Sequence, residues 1–143
     1  MDLWQVEEIP DGDSLFYRFS VGQLRADRKP FPGMFRENKG SMSTDWEKYS
    51  TANETRKRQG RPEIFAVLRM IVGGIRAIDG LTVVHSPTQN VEGLPDNQAH
   101  SDVFGLGHPA PPTNPDFGRK LRIRTELHQR FHTWEIPPGA PVE

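Results

Sequence analysis

Apolar residues fall into short runs separated by stretches rich in proline, glycine and polar side chains. The first run, Leu15 to Phe19, alternates weakly and is rich in aromatics, which is typical of a β-strand. Two further runs, Leu81 to His85 and His100 to Leu106, flank a loop of proline, asparagine, glycine and aspartate. Two apolar runs around such a loop predict a pair of antiparallel strands.

Two sequence signatures predict short helices in the middle of the chain. In Thr44–Glu47 and in Thr51–Glu54, a threonine is followed three residues later by glutamate, which is the pattern of a capping box. We expect a helix to start at each. Segment 62–78 leaves two alternatives open, because its apolar residues fit one helical face but a Gly-Gly pair interrupts that face. A strand over Ile64 to Met70 followed by a short helix fits equally well.

The last third of the chain predicts an amphipathic helix and a short edge strand. Asn114 and Pro115 supply an N-cap and a proline at the first helical position, and the helix should continue to about His132. Trp134 to Ile136 predicts the final strand. The apolar face of the helix consists of Phe117, Leu121, Ile123, Leu127 and Phe131.

Together these elements predict one α+β domain, residues 1–143, in which a small, mainly antiparallel sheet packs against the C-terminal helix and a middle helix. A length of 143 residues suits one domain, and no internal repeat is visible. We expect loosely ordered tails at 1–13 and 137–143. The predicted core includes Phe16, Val83, Val103, Leu121, Leu127 and Phe131.

Composition and charge exclude several classes of function. The chain has 18 basic and 19 acidic residues and a net charge of −1, so there is no strong DNA-binding signal. It has no cysteine, which excludes disulfides and thiolate zinc sites and fits a reducing compartment. No window approaches the roughly 20 apolar residues of a membrane span. We therefore expect a soluble cytoplasmic protein with no membrane partner.

His85 and His100 are the strongest candidates for chemistry, because the predicted hairpin places both beside the same loop. Imidazole titrates near neutral pH, so two of them can act as general base and general acid. With an arginine to hold a phosphate, they would suffice for metal-independent RNA cleavage or another reaction of a nucleotide. Arg18 and Arg36 are the arginines expected in that role.

Other interpretations of the same residues stay open. His85, His100 and Asp102 are metal-ligand types, although their spacing matches no metal motif, and the sequence indicates no particular cofactor. Alternatively, the histidines cap strand ends while Asn97 forms an Asx-turn.

A non-catalytic module is the alternative from a different functional class. The long loop between Ser20 and Thr44 and the tryptophans Trp4, Trp46 and Trp134 would then dock onto a protein partner, since tryptophan is favoured at interface hot spots. The sequence is therefore consistent with either an enzyme or a binding module.

Several short motifs resemble a group of small bacterial proteins of unassigned activity. They are S-x-D-W at Ser43–Trp46, H-x-P at His85–Pro87 and N-x-x-H at Asn97–His100. The resemblance covers most of the chain but implies no activity. It draws attention to Arg18, Arg36, Ser43, Asp45, Trp46, Tyr49, His85, Pro87, Asn97 and His100. We expect ligand binding by Arg18, Arg36, Asn97 and Tyr49, and catalysis by His85 and His100.

Overall fold

A computed structural model describes residues 2–143, and one antiparallel sheet organises this part of the chain. Within these residues the strands are β1 (Ser14–Ser20), β2 (Met42–Trp46), β3 (Phe65–Ile71), β4 (Thr82–His85), β5 (His100–Phe104) and β6 (Trp134–Ile136). They lie in the order β4-β5-β2-β1-β3-β6. The helices are α1 (Ala52–Lys57), α2 (Val72–Arg76) and α3 (Phe117–Arg130), with 3-10 turns at Val21–Gln23, Pro32–Met34 and Pro62–Ile64. The predicted α+β class is confirmed.

Alternation of side chains gives the sheet an apolar face and a polar face. In β1, Leu15, Tyr17 and Phe19 belong to the main core, whereas Phe16 and Arg18 lie on the opposite face because successive residues of a strand point in opposite directions. The same alternation in β2 and β5 places three polar residues on the face that carries Phe16 and Arg18. These are Asp45, His100 and Asp102.

Helix α3 packs on the apolar face through Ile123 and Leu127, and Phe131 follows it into the core. Leu121 is 49% exposed, so its predicted place in the core is wrong. Residues two apart on a helix point about 200° from each other, so Leu121 and Ile123 cannot share one face. The other predicted core residues are buried, although Phe16 is buried on the polar face.

The two capping boxes have different outcomes. The Thr51 hydroxyl oxygen accepts a hydrogen bond from the Glu54 amide at 3.1 Å, and α1 begins at the next residue, which confirms this prediction. The helix predicted at Thr44–Glu47 is wrong, because these residues belong mainly to β2. There the Thr44 hydroxyl donates to the Ser101 carbonyl at 2.9 Å, and Trp46 is 1% exposed in the core.

Segment 62–78 contains a strand followed by a short helix. Strand β3 pairs along its whole length with β1. At its end the amides of Val72 and Gly73 donate to the carbonyls of Asp13 and Asp11, both at 2.8 Å. A Cβ atom on Gly73 would lie 3.1 Å from the Asp11 carbonyl oxygen, so this glycine permits the close approach of the N-terminal segment.

The predicted hairpin and edge strand are also present. Strands β4 and β5 pair antiparallel with His85 opposite Ser101, and β6 lies beside β3 at the edge. Helix α3 begins at Phe117 with Asp116 as its N-cap residue, two residues later than predicted, and ends at Arg130. None of the helices in residues 2–143 has the length and apolarity to cross a membrane.

Both chain ends, which we expected to be loosely ordered, lack helices and strands in the part that the structure describes, yet they make specific contacts. Ile9 is fully buried in the core. The buried Arg56 guanidinium donates to the carbonyls of Ala140 at 2.7 Å and Pro141 at 3.1 Å. The C-terminal segment therefore supplies acceptors to a buried cation.

Candidate functional site

The polar face of the sheet is the floor of a cleft of about 800 Å³, here called the polar cleft. Helix α1 and the segments before β2 and before β5 contribute its walls. The residues that carry its chemistry are Arg18, Asp45, Arg58, Asn97, His100 and Asp102.

Asp45 joins three elements beneath this cleft. It is 5% exposed, and its Oδ2 atom accepts hydrogen bonds from the Thr55 hydroxyl at 2.8 Å and from Arg58 Nε at 2.7 Å. Its Oδ1 atom accepts from Asn97 Nδ2 at 2.8 Å. A buried carboxylate is tolerated when it is paired and hydrogen-bonded in this way. Asp45 therefore fixes α1 and the loop before β5 onto β2.

Asn97 lines the polar cleft, as we expected of a ligand-binding residue, but its side chain is engaged with the protein. Besides the bond to Asp45, its Oδ1 atom accepts a hydrogen bond from the Ala99 amide at 3.0 Å. This bond to the amide two residues on is the Asx-turn that the structural interpretation predicted. Asn97 shapes the loop that delivers His100 to the cleft.

Arg18 presents an unused cation to the cleft. Within residues 2–143 its guanidinium makes no hydrogen bond and no ion pair, and it lies 4.5 Å from the centre of the Phe65 ring. Burial lowers the pKa of Arg18, while the nearby Asp45 carboxylate acts in the opposite direction. Arginine nevertheless stays charged in proteins, so its donors are available to an anion in the cleft.

His100 has one ring nitrogen held by the protein and the other open. Its Nδ1 atom lies 3.0 Å from the Ser86 carbonyl oxygen and 3.1 Å from the Ser86 hydroxyl. That hydroxyl donates to Asp102 Oδ2 at 2.6 Å, so it accepts rather than donates towards the imidazole. These bonds assign the proton of neutral His100 to Nδ1. Nε2 is left as an acceptor, 3.9 Å from Asp102 Oδ1.

His85 lies on the other face of the sheet. It is directly opposite Ser101, the neighbour of His100, and directly paired residues share a face. The predicted hairpin therefore does not bring the two imidazoles together in one site. His85 is 1% exposed, and its Nδ1 accepts from the Glu7 amide at 3.0 Å while its Nε2 donates to the Gln98 carbonyl at 2.8 Å.

Tyr49 accompanies His85 rather than the polar cleft. Its ring stacks on the imidazole with 6.0 Å between centres, and its hydroxyl donates to the Glu7 carboxylate. Hydrogen bonds from Lys48 and from Tyr49 lower the pKa of the Glu7 carboxyl. This cluster anchors the N-terminal segment to the apolar face.

Arg36 lines the polar cleft at its exposed rim. Its Nε donates to the Gly33 carbonyl at 3.0 Å, and its guanidinium lies 5.4 Å from the centre of the Phe19 ring. Arg36 is exposed. Of the four expected ligand-binding residues, Arg18, Arg36 and Asn97 come together in the polar cleft and Tyr49 does not.

The sequence did not indicate that Arg58 and Ser86 belong to the site. Arg58 lies four residues after Glu54, a spacing that allows an ion pair on a helix, but it bonds Asp45 instead. Ser86 bridges His100 and Asp102 only after β4 and β5 pair. Neither contact has a local sequence signal, because both depend on tertiary proximity.

The metal interpretation lacks a ligand set in the described part of the chain. No group of three or more histidine, aspartate or glutamate side chains in residues 2–143 could hold a metal ion. His85, His100 and Asp102 are divided between the two faces of the sheet, so they do not form the proposed ligand set.

The tryptophans give limited support to a protein-docking surface. Trp46 is buried in the core, so it cannot contact a partner. Trp4 and Trp134 are partly exposed, and the indole N–H of Trp134 donates to the Arg28 carbonyl at 3.0 Å.

Comparisons of the chain with protein-family models, curated proteins and solved structures gave no match. Function is therefore inferred from the chemistry of the polar cleft.

Proposed function

We propose that the polar cleft binds a phosphate-containing ligand, a nucleotide or RNA, and that Arg18 is its main anion contact. The observation that carries this proposal is the half-buried Arg18 guanidinium, whose donors have no hydrogen-bond partner within residues 2–143. A guanidinium matches phosphate oxygens with paired N–H donors. Partial burial beside Phe65 strengthens such bonds, since fewer waters compete for the ligand.

The charges around Arg18 favour an anion at this point of the cleft. Arg58 already neutralises Asp45 through the bond at 2.7 Å. Both oxygens of Asp102 accept bonds from serine hydroxyls. Arg36 and Lys39 add two positive charges at the rim, and Glu37 adds one negative charge. A ligand phosphate near Arg18 therefore meets more available donors than free carboxylate oxygens.

His100 is the residue of this site suited to proton transfer. His100 lines the polar cleft, its Nε2 lies 3.9 Å from Asp102 Oδ1, and Asp102 would stabilise the imidazolium that forms. With RNA, we propose that Nε2 takes the proton of a 2′-hydroxyl whose oxygen attacks the adjacent phosphorus. The bond from phosphorus to the 5′ oxygen then breaks, and that oxygen takes a proton from water. The products are a 2′,3′-cyclic phosphate and a 5′-hydroxyl.

His85 has no part in this mechanism, because both of its ring nitrogens are bonded to the backbone on the other face. We assign His85 to the anchoring of the N-terminal segment. A cytoplasmic location, which the cysteine-free composition favours, would expose the protein to both nucleotides and RNA.

Isothermal titration calorimetry with uridine monophosphate tests the binding proposal. We expect Arg18→Gln to weaken binding at least about tenfold, since hydrogen bonds to charged groups contribute roughly 1.5–3 kcal/mol. Arg61→Gln is the matched control, because Arg61 is exposed and outside the cleft. Equal affinities for the wild type and Arg18→Gln, or no binding by the wild type, would contradict the proposal.

A further inference from the structure

Ser43 provides an unused hydroxyl in the middle of the floor of the polar cleft. It belongs to β2, which lies between β5 and β1, yet the residue is exposed and its hydroxyl makes no hydrogen bond within residues 2–143. Asp102 is directly opposite Ser43 on β5. Directly opposite residues share a face, with Cβ atoms about 4.5–5.5 Å apart. The short side chain of Ser43 therefore leaves room for a ligand beside the Asp102 carboxylate.

Arg18 flanks Ser43 on the other side. Strand β1 pairs with β2 as far as Phe16 and Asp45. Arg18 and Ser43 come two residues further along their strands, so they lie on the same face as that pair. Both line the polar cleft, and the guanidinium donors of Arg18 are free within residues 2–143. An anion bound by Arg18 and Ser43 therefore lies between a guanidinium and a carboxylate.

The charges that line the polar cleft nearly cancel. Four cations and three carboxylates line it, so the net charge of the lining is +1 when His100 is neutral. These charged residues are Arg18, Arg36, Lys39, Arg58, Glu37, Asp45 and Asp102. Since Arg58 is bonded to Asp45 and three of the others lie at the rim, Arg18 and Asp102 are the opposite charges that flank Ser43. A net charge of +1 matches a ligand phosphate with a single negative charge.

The Asp102 carboxylate is hydrogen-bonded but not paired with a permanent cation. Its oxygens accept from the hydroxyls of Ser41 at 2.7 Å and Ser86 at 2.6 Å, and hydroxyls carry no charge. Within residues 2–143 its ion-pair partner is His100, at 3.9 Å, which is charged only when it is protonated. A ligand phosphate at Ser43 therefore meets repulsion from Asp102 in proportion to the charge that the phosphate carries.

From these charges we infer that the polar cleft selects a phosphodiester over a terminal phosphate monoester, and that Asp102 determines this preference. A diester carries one negative charge, whereas a monoester carries about two at pH 8, because its second pKa is about 6. The cost of removing an anion from water rises with the square of its charge, whereas its attraction to Arg18 rises only in proportion to the charge. The inference rests on the proposed function and specifies the substrate as an internal linkage of RNA.

Isothermal titration calorimetry at about pH 8 tests the inference with uridine monophosphate and its methyl ester. The two probes share the base and the ribose and differ by one methyl group and one charge. We expect the wild type to bind the methyl ester at least about fivefold more tightly than uridine monophosphate. In Asp102→Asn the two affinities should lie within about twofold of each other, chiefly because uridine monophosphate binds more tightly without the carboxylate. A preference that arose from contacts of the methyl group would persist in this variant.

Two further variants separate the charge of Asp102 from other effects. Asp79→Asn is the matched control, because it removes the same charge at an exposed position outside the cleft and should leave the ratio of the two affinities unchanged. Ser43→Asp keeps Asp102 in place and adds a carboxylate to the floor, so it should raise the ratio above that of the wild type. Equal affinities for the two probes in the wild type, or the wild-type ratio in Asp102→Asn, would overturn the inference, while binding that depends on Arg18 leaves the proposed function standing. Failure of the wild type to bind either probe overturns both.

Discussion

Two histidines from one hairpin acquire different chemistry from the hydrogen bonds around them. In His85 both ring nitrogens are bonded to backbone groups, and the ring contacts Trp46 with 5.0 Å between centres. In His100 a backbone carbonyl holds Nδ1 and leaves Nε2 facing Asp102. The first arrangement stabilises the fold, and the second is suited to proton transfer.

Substitution of His100 by glutamine tests its proposed role as a base. We expect RNA cleavage to fall at least about 100-fold, because a general base contributes roughly 10²–10⁴-fold to a rate. The free energy of unfolding of His100→Gln should differ from that of the wild type by less than about 1 kcal/mol, since His100 is only partly buried. The readouts are cleavage of an RNA oligomer in the presence of a chelator and urea unfolding. Cleavage that persists in His100→Gln would exclude His100 as the base.

Replacement of His85 by alanine should act on stability instead. It removes a buried ring and leaves the Glu7 amide and the Gln98 carbonyl without their partner. We expect a loss of about 2–4 kcal/mol in the free energy of unfolding. Urea unfolding measures it, with His108→Ala as a control at an exposed position. A variant with the urea-unfolding stability of the wild type but no activity would instead support catalysis by His85.

At the scale of elements, one short motif has two outcomes. The capping box at Thr51–Glu54 starts α1, whereas the box at Thr44–Glu47 lies in β2 and its end. Burial of Trp46 and pairing of β2 with β1 and β5 outweigh a cap that contributes only about 1 kcal/mol. Local capping signals therefore predict helices reliably only where no strand competes for the same residues.

The end of β5 provides a prediction about backbone geometry. Gly105→Ala should lower the free energy of unfolding by more than about 2 kcal/mol, because the new Cβ would clash with the Gly80 carbonyl and the positive φ disfavours alanine. Gly93→Ala is a matched control, since Gly93 has a φ of +81° but open space around it. It should cost only about 1 kcal/mol. Equal losses in urea unfolding would show that the contact with Gly80 is unimportant.

At the scale of the whole molecule, alkaline stability should depend on Tyr17. Its hydroxyl donates to the Met34 carbonyl at 2.7 Å, and burial raises its pKa to about 12. Between pH 10 and pH 12 the unfolded chain loses this proton first, so the folded state loses stability as the pH rises. The expected loss is about 1 kcal/mol at pH 11 and about 2–3 kcal/mol above pH 12.

Tyr17→Phe should flatten this dependence, because phenylalanine has no proton to lose. Urea unfolding at about pH 9 and about pH 11 measures the difference, and Tyr49→Phe serves as the control for general alkaline effects. An identical fall in stability for wild type and Tyr17→Phe would refute the assignment to Tyr17.

The sequence alone determined the α+β class, the hairpin of β4 and β5, the edge strand β6, and α3 to within two residues of its ends. These features follow from periodicities of two and 3.6 residues and from local turn and cap chemistry. Arg18, Arg36, Asn97 and His100 were also predicted as site residues, and the structure places all four at one cleft.

Only the tertiary structure decided which residues of the hairpin share a face. Because side chains alternate along a strand, the pairing of His85 with Ser101 sends His85 to the core and His100 to the polar cleft. Likewise, Asp45 meets Asn97 from 52 positions away only when β2 lies beside β5. Register and long-range pairing arise from burial of the whole sheet, so no local pattern in the chain encodes them.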